Sequence, residues 1–227
     1  MIEMHSDASV VIEYCAQNRL HVAASESLTG GLLANAFVSV PGASRVFLGS
    51  AVTYDIHAKA KILGVDADFL ESHGAVNASV AKLMAIGTAR LYSGSGWDYK
   101  NKSCEKDLQD SNFPVIGLST TGVAGPGPDY DGKPAGLAYI GIFLPKSVML
   151  SVFLDSKSLN NSFNKKILHI KSIENYSNLD VCESDSGTFI SCELQNSGSR
   201  EEVRNSVVQK LIKLLYLLLC KDCESVA

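Results

Sequence analysis

The chain has 227 residues, 46% of them hydrophobic, and its 20 Lys and Arg against 24 Asp and Glu leave a formal charge of -4. That length and apolar content bury a core as a single domain with insertions, and without a dense basic tract a dedicated nucleic-acid binder is not expected. The longest apolar stretch, 211–220, is interrupted by Lys213 and is shorter than the about 20 residues of a bilayer span, so a buried helix is expected and a membrane partner is not.

Residues 1–7 have neither a cationic start nor an apolar core, so no secretory signal is read and a cytoplasmic location is expected. Cys15, Cys104, Cys182, Cys192, Cys220 and Cys223 are scattered, and Cys220 with Cys223 has no second pair or histidine, so neither disulfides nor a metal site are expected.

Residues 7–20 place Val10, Val11, Tyr14 and Cys15 at helical spacing and predict a first helix. Residues 21–24 predict a short buried strand, and residues 32–38 a helix. Between them runs Ala24-Ser25-Glu26-Ser27-Leu28-Thr29-Gly30-Gly31, with two hydroxyls and two glycines where strand turns into helix. A helix start offers unpaired N–H groups and a positive dipole end, and glycine lets a phosphate or an oxyanion approach the backbone closely. Ser25 or Ser27 also suits a plain helix cap.

Residues 46–54 predict a second strand and 58–63 a short helix ending at Gly64. Asn77 then caps a longer helix through Val80, Leu83, Met84, Gly87 and Leu91. Residues 114–121 predict a strand entering the glycine-rich turn 122–128. Residues 136–144 and 147–154 predict a hairpin around Pro145-Lys146, and residues 201–221 a last helix. Residues 97–112 and 157–199 read as surface insertions, the second with weak strand signals at 167–170 and 188–190 that suit a small hairpin. Helices interleaved with strands, followed by a hairpin, predict an α/β fold: a three-layer α/β/α sandwich with a mixed, mainly parallel sheet, one domain over 1–227.

Several blocks in fixed order carry a resemblance. They are Glu26-Ser27-Leu28-Thr29-Gly30-Gly31, Val40-Pro41-Gly42-Ala43-Ser44, Phe47-Leu48-Gly49, Tyr54 to Lys59 with Leu63-Gly64-Val65, and Thr121-Gly122-Val123-Ala124-Gly125-Pro126-Gly127 with Lys133-Pro134-Ala135-Gly136. Together they resemble the CinA carboxy-terminal domain family over about residues 8–154 and 198–220. The enzymatic members of that family are nicotinamide mononucleotide (NMN) amidohydrolases, so the resemblance implies that NMN and water give nicotinate mononucleotide and ammonia, without cofactor or metal.

The family's nucleophilic serine falls on Ser27, and its tyrosine and lysine fall on Tyr54 and Lys59. The block usually written Tyr-Ser-Asn-Glu-Ala-Lys reads here Tyr54-Asp55-Ile56-His57-Ala58-Lys59, matching at its ends and differing in its middle. Residues Gly198-Ser199-Arg200 resemble the family's Gly-Asp-Arg block, with serine for aspartate, and Arg200 then suits a phosphate contact or a helix-end ion pair.

The chemistry supports the same residues. A serine hydroxyl needs a base, and lysine serves as one when burial lowers its pKa. Tyr54 is expected to relay the proton or orient the amine, and Thr121 to reach the same sheet edge as Ser27. The Thr121 hydroxyl and the N–H groups near Gly30, Gly31 and Gly122 are expected to hold the oxyanion or the phosphate, with Glu26 and Thr29 as further substrate-binding residues of the motif. Taken singly, Lys59 suits a solvated helix, Tyr54 a packed strand end and Thr121 a turn. His57 is the alternative base.

The alternatives to an NMN amidase are a CinA-like nucleotide-binding module without turnover, in competence or DNA-damage responses, and an amidase for another small amide. A homo-oligomer is expected.

Overall fold

The computed structural model describes residues 2–93, 113–153 and 159–220. Helix α1 (Ile2–Gln17) leads to strand β1 (His21–Glu26), helix α2 (Leu32–Val38) and, after a 3-10 turn at Ala43–Arg45, strand β2 (Phe47–Val52). Helices α3 (Ile56–Leu63), α4 (Ala67–His73) and α5 (Ala78–Tyr92) follow, then strands β3 (Val115–Gly122) and β4 (Leu137–Pro145). Helices α6 (Lys146–Phe153) and α7 (Leu159–Lys171) precede the hairpin of β5 (Leu179–Ser184) and β6 (Gly187–Gln195), and α8 (Arg200–Leu219) closes the order.

The strands form one six-stranded sheet in the order β2-β1-β3-β4-β6-β5. Helices cover both faces, so the expected α/β/α sandwich is the fold. The larger core unites α1, α2, α6, α7 and α8 with Val22, Ala24, Ile116, Leu118, Ile140 and Ile142 on one face of the sheet. On the other face Leu63, Leu70, Val80 and Met84 join α3, α4 and α5, while Ala85 and Ala89 of α5 meet Phe143 and Phe189. The close approach of α5 explains Gly117: a Cβ there would lie 2.0 Å from the Ala85 carbonyl oxygen.

Local chemistry sets several boundaries. Asn77 caps α5, its side chain accepting from the Val80 N–H at 2.9 Å, and Gly64 ends α3 at φ 68. Helix α3 starts two residues earlier than expected because the Asp55 carboxylate accepts from the His57 N–H at 2.8 Å. Ser199 and Glu202 form a reciprocal capping box at the start of α8. Residues 211–219 are the mostly buried second half of α8, and among the described residues no helix is long and apolar enough to cross a membrane.

Three expectations need correction. The sheet is parallel only where β1 pairs with β2 and β3; the pairings β3–β4, β4–β6 and β6–β5 are antiparallel. The second strand expected at 147–154 does not pair back on β4 over its described residues: 146–153 form α6, whose Val148, Met149 and Phe153 are buried. The antiparallel neighbour of β4 is instead β6, matched along its whole length from Leu137↔Gln195 to Pro145↔Gly187. Within the stretch read as a surface excursion, the described residues 159–199 are therefore part of the sandwich. Its signal at 188–190 is strand, in the β5–β6 hairpin, whereas 167–170 lies in α7, where Phe163, Ile167 and Ile170 fall on one buried helical face. Residues 97–112 lie outside the described residues.

Candidate active site

Strand β1 ends at Glu26, and the chain turns through 27–31 into α2, with Gly31 as the N-cap at φ 96, a left-handed value that favours glycine. Consecutive strand residues face opposite sides of a sheet. Glu26 therefore turns toward α2, and Ser27 toward α3.

The carboxylate of Glu26 is fully buried and accepts five hydrogen bonds. Oε2 takes the Thr29 hydroxyl at 2.8 Å and the N–H groups of Gly31 and Leu33 at 2.9 and 3.0 Å. Oε1 takes the Ala34 N–H and the Ser50 hydroxyl, each at 2.9 Å. The positive end of α2 is thus satisfied from inside the protein, which offsets the desolvation of the carboxylate.

The groups expected to bind substrate thus have partners within the protein. Glu26, Thr29 and Gly31 are engaged with one another, and the Gly30 N–H donates to the Ser27 carbonyl at 3.1 Å. The Thr29 hydroxyl also meets that of Thr120 at 2.8 Å. Gly122 is a packing glycine, since a Cβ there would lie 2.7 Å from the Leu137 carbonyl oxygen of β4.

Ser27 is 8% exposed and is anchored by its N–H to the Thr120 carbonyl at 3.0 Å. Lys59 comes from α3, the helix that follows β2, and is 1% exposed. Its Nζ donates to the carbonyl oxygens of Thr53 and Tyr54 at 2.7 and 3.1 Å and to Ser27 Oγ at 3.1 Å. Burial lowers the Lys59 pKa to about 8, with the Asp55 charge opposing the shift in part.

A neutral amine has two N–H groups and one lone pair. The two carbonyls accept the N–H groups, which leaves the lone pair facing the Ser27 hydroxyl, the arrangement a general base needs.

Tyr54 enters this site through its backbone. Its carbonyl orients the amine, whereas its side chain is 60% exposed and its hydroxyl accepts from Arg200 Nη2 at 2.9 Å rather than contacting the lysine. Arg200 Nη1 donates to the Gly125 carbonyl at 2.7 Å, so the guanidinium ties the glycine-rich turn after β3 to Tyr54. Thr121 is buried and its hydroxyl donates to the Ala75 carbonyl at 2.7 Å, in the loop before α5, so it supports that loop. The His57 ring contacts Asp55 at 2.8 Å on an 81% exposed side chain, away from the buried lysine.

Two residues at the site escaped the sequence reading. Arg204 donates from Nε to the Leu28 carbonyl at 2.9 Å and from Nη2 to the Thr29 carbonyl at 2.8 Å. Its spacing of four from Arg200 places both guanidinium groups on one face of α8, a signal present in the sequence. Thr53 is fully buried with a hydroxyl that has no partner among the described residues, and no local pattern announces it.

Fold and site together define an α/β sandwich that carries a buried serine–lysine pair at a strand-to-helix turn. The model of the CinA C-terminal domain matches residues 4–95 and 107–168. The chain belongs to that family.

A CinA-like protein of Desulfovibrio desulfuricans is 40% identical over 144 residues, covering 63% of this chain and 29% of the relative. A CinA-like protein of Chlorobaculum tepidum is 41% identical over 133 residues, covering 59% and 27%. The chain thus spans about a third of the curated relatives it matches.

Among solved structures, a competence-damaged protein (CinA) superfamily member from Klebsiella pneumoniae aligns with TM-score 0.65 at 19% identity, over 96% of this chain and 98% of that one. The competence/damage inducible protein CihA from Agrobacterium tumefaciens gives 0.63 at 24% identity, over 95% and 94%. At those identities the likeness is one of fold.

Proposed function

We propose that the chain is a serine amidohydrolase that converts NMN to nicotinate mononucleotide and ammonia, with Ser27 as nucleophile and Lys59 as base. The observation that carries this reading is the 3.1 Å approach of Lys59 Nζ to Ser27 Oγ at an amine whose pKa burial has lowered to about 8. The family's enzymatic members give the substrate, and nothing in the chemistry calls on a metal or cofactor.

In the forward step Lys59 takes the Ser27 proton while Oγ attacks the carboxamide carbon, and the carbonyl oxygen becomes an oxyanion. The C–N bond then breaks, the amide nitrogen leaves as ammonia with the proton returned by Lys59, and an acyl-serine remains. Water next gives a proton to Lys59 and attacks the ester, and Ser27 recovers a proton as nicotinate mononucleotide leaves. The Thr53 and Tyr54 carbonyls hold the amine in register through both steps. They stabilise the ammonium that forms between them. Arg200, exposed and bonded to the Tyr54 hydroxyl, supplies a planar cation for the phosphate.

The test is ammonia release from NMN followed together with nicotinate mononucleotide by mass, with Ser27→Ala alongside. Product from the wild type alone supports the reading. Binding of NMN without product would move the assignment to a nucleotide-binding module, and turnover of a different amide would keep the mechanism and change the substrate.

A further inference from the structure

Every backbone amide of the turn from Ser27 to Ala34 has an acceptor except two. Ser27 donates to the Thr120 carbonyl, Gly30 to that of Ser27 and Leu32 to that of Thr29, while Gly31, Leu33 and Ala34 donate to the Glu26 carboxylate. Among the described residues no acceptor serves the N–H of Leu28 or of Thr29, although both residues are buried. Buried backbone donors are rarely left unpaired. These two follow the serine directly, the position from which hydrolases with a serine on a strand-to-helix turn draw an oxyanion donor.

The carbonyls of the same two residues are both held by Arg204, Leu28 by Nε and Thr29 by Nη2. A trans peptide sets C=O and the next N–H on opposite sides. Arg204 on the Leu28 carbonyl therefore aims the Thr29 N–H away from α8. The Gly30 N–H, holding the Ser27 carbonyl at 3.1 Å, likewise turns the Leu28 N–H outward. The turn is clamped from the α2 and α8 side by Glu26 and Arg204, and the base approaches from α3.

We propose that the N–H groups of Leu28 and Thr29 bind the oxyanion formed at the scissile carbonyl, and that Arg204 is the positioning residue that aims them. This rests on the serine–lysine reading above. Arg204 acts through the Leu28 and Thr29 carbonyls it holds.

The experiment compares wild type, Arg204→Lys and Arg204→Ala in two assays: hydrolysis of NMN across pH, and the rate at which a fluorophosphonate probe labels Ser27. The probe's phosphoryl oxygen needs the same two donors. Both variants are expected to lose about 10- to 100-fold in kcat and in labelling rate, with KM within about 3-fold and the pH inflection unmoved. Added methylguanidinium is expected to restore part of the rate of Arg204→Ala.

Unchanged rates in a folded variant, or a loss confined to KM, would overturn the proposal. If thermal unfolding shows that Arg204→Ala does not fold, Arg204→Lys decides by the same two rates. If the wild type labels at Ser27 but leaves NMN intact, the NMN reading falls and the labelling rates alone decide the role of Arg204. A wild type that does neither overturns both.

Discussion

Arg200 on α8 donates to the Tyr54 hydroxyl beyond β2 at 2.9 Å, across 146 residues of sequence. The same guanidinium holds the Gly125 carbonyl, so one exposed cation joins α8, the turn after β3 and Tyr54, whose carbonyl accepts from Lys59. An exposed arginine whose partners are neutral oxygens keeps its charge available to an anion.

Arg200→Ala is accordingly expected to raise KM for NMN about 10- to 100-fold, as the loss of a phosphate contact does, while a substrate lacking the phosphate, nicotinamide riboside, changes little. Steady-state kinetics with both substrates checks this. Equal losses on the two substrates would assign Arg200 to holding Tyr54 and the turn in place.

Lys59 gives a pH prediction with a definite sign. Its pKa is about 8 in the folded chain against an ordinary 10.5, so the base is neutral only as pH climbs past about 8. Amidase kcat is expected to rise with pH and level off above that value. Lys59→Arg, which stays protonated, is expected to be inactive at every pH.

The same shift carries a stability cost. Below pH about 8 both folded and unfolded chains hold the proton, and the folded chain bears the full cost of the buried charge; between about 8 and 10.5 the unfolded chain binds more protons, so stability rises with pH in that window. The gap corresponds to about 3 kcal/mol. Lys59→Met is expected to be inactive and more stable than wild type at pH 7, by up to about that amount, read by urea unfolding.

How much of this was legible follows from particular residues. Asn77, Gly64 and the glycines after Ser27 mark turns and caps by local chemistry, and the structure has them there. Residues 147–153 were not legible as helix, because a run of apolar residues broken only by serine carries no clear period, and packing decided. Strand β6 showed only in part, through the signal at 188–190: buried on both faces through Phe189, Ile190, Ser191 and Cys192, it has no alternation of polar and apolar residues to mark its full length. The motif around Ser27 marked a site without telling which groups face inward. Strand alternation sends Glu26 into the protein and Ser27 to the site, and only the packed helices show which face is which.

Glu26 is the structural keystone of the turn, with five donors around one carboxylate. Glu26→Gln keeps the volume but turns an amide toward N–H groups, and is expected to lower stability by about 1–3 kcal/mol. Chemical denaturation measures it, and activity is expected to fall as well because the turn that presents Ser27 loosens. A variant as stable as wild type would show that the cap contributes little.

Gly117 tests the packing of α5 on the sheet. Gly117→Ala sets a methyl 2.0 Å from the Ala85 carbonyl oxygen, so helix and strand must separate. A loss of about 1–3 kcal/mol is expected in thermal or urea unfolding.

The most direct test of the serine–lysine reading is the pH dependence of ammonia release from NMN by wild type, Ser27→Ala and Lys59→Met. The reading predicts turnover in the wild type with an inflection near pH 8, and losses of about 10⁴-fold or more in both variants, which stay folded. Turnover that survives in folded Lys59→Met, or a wild-type profile flat from pH 6 to 10, would contradict it.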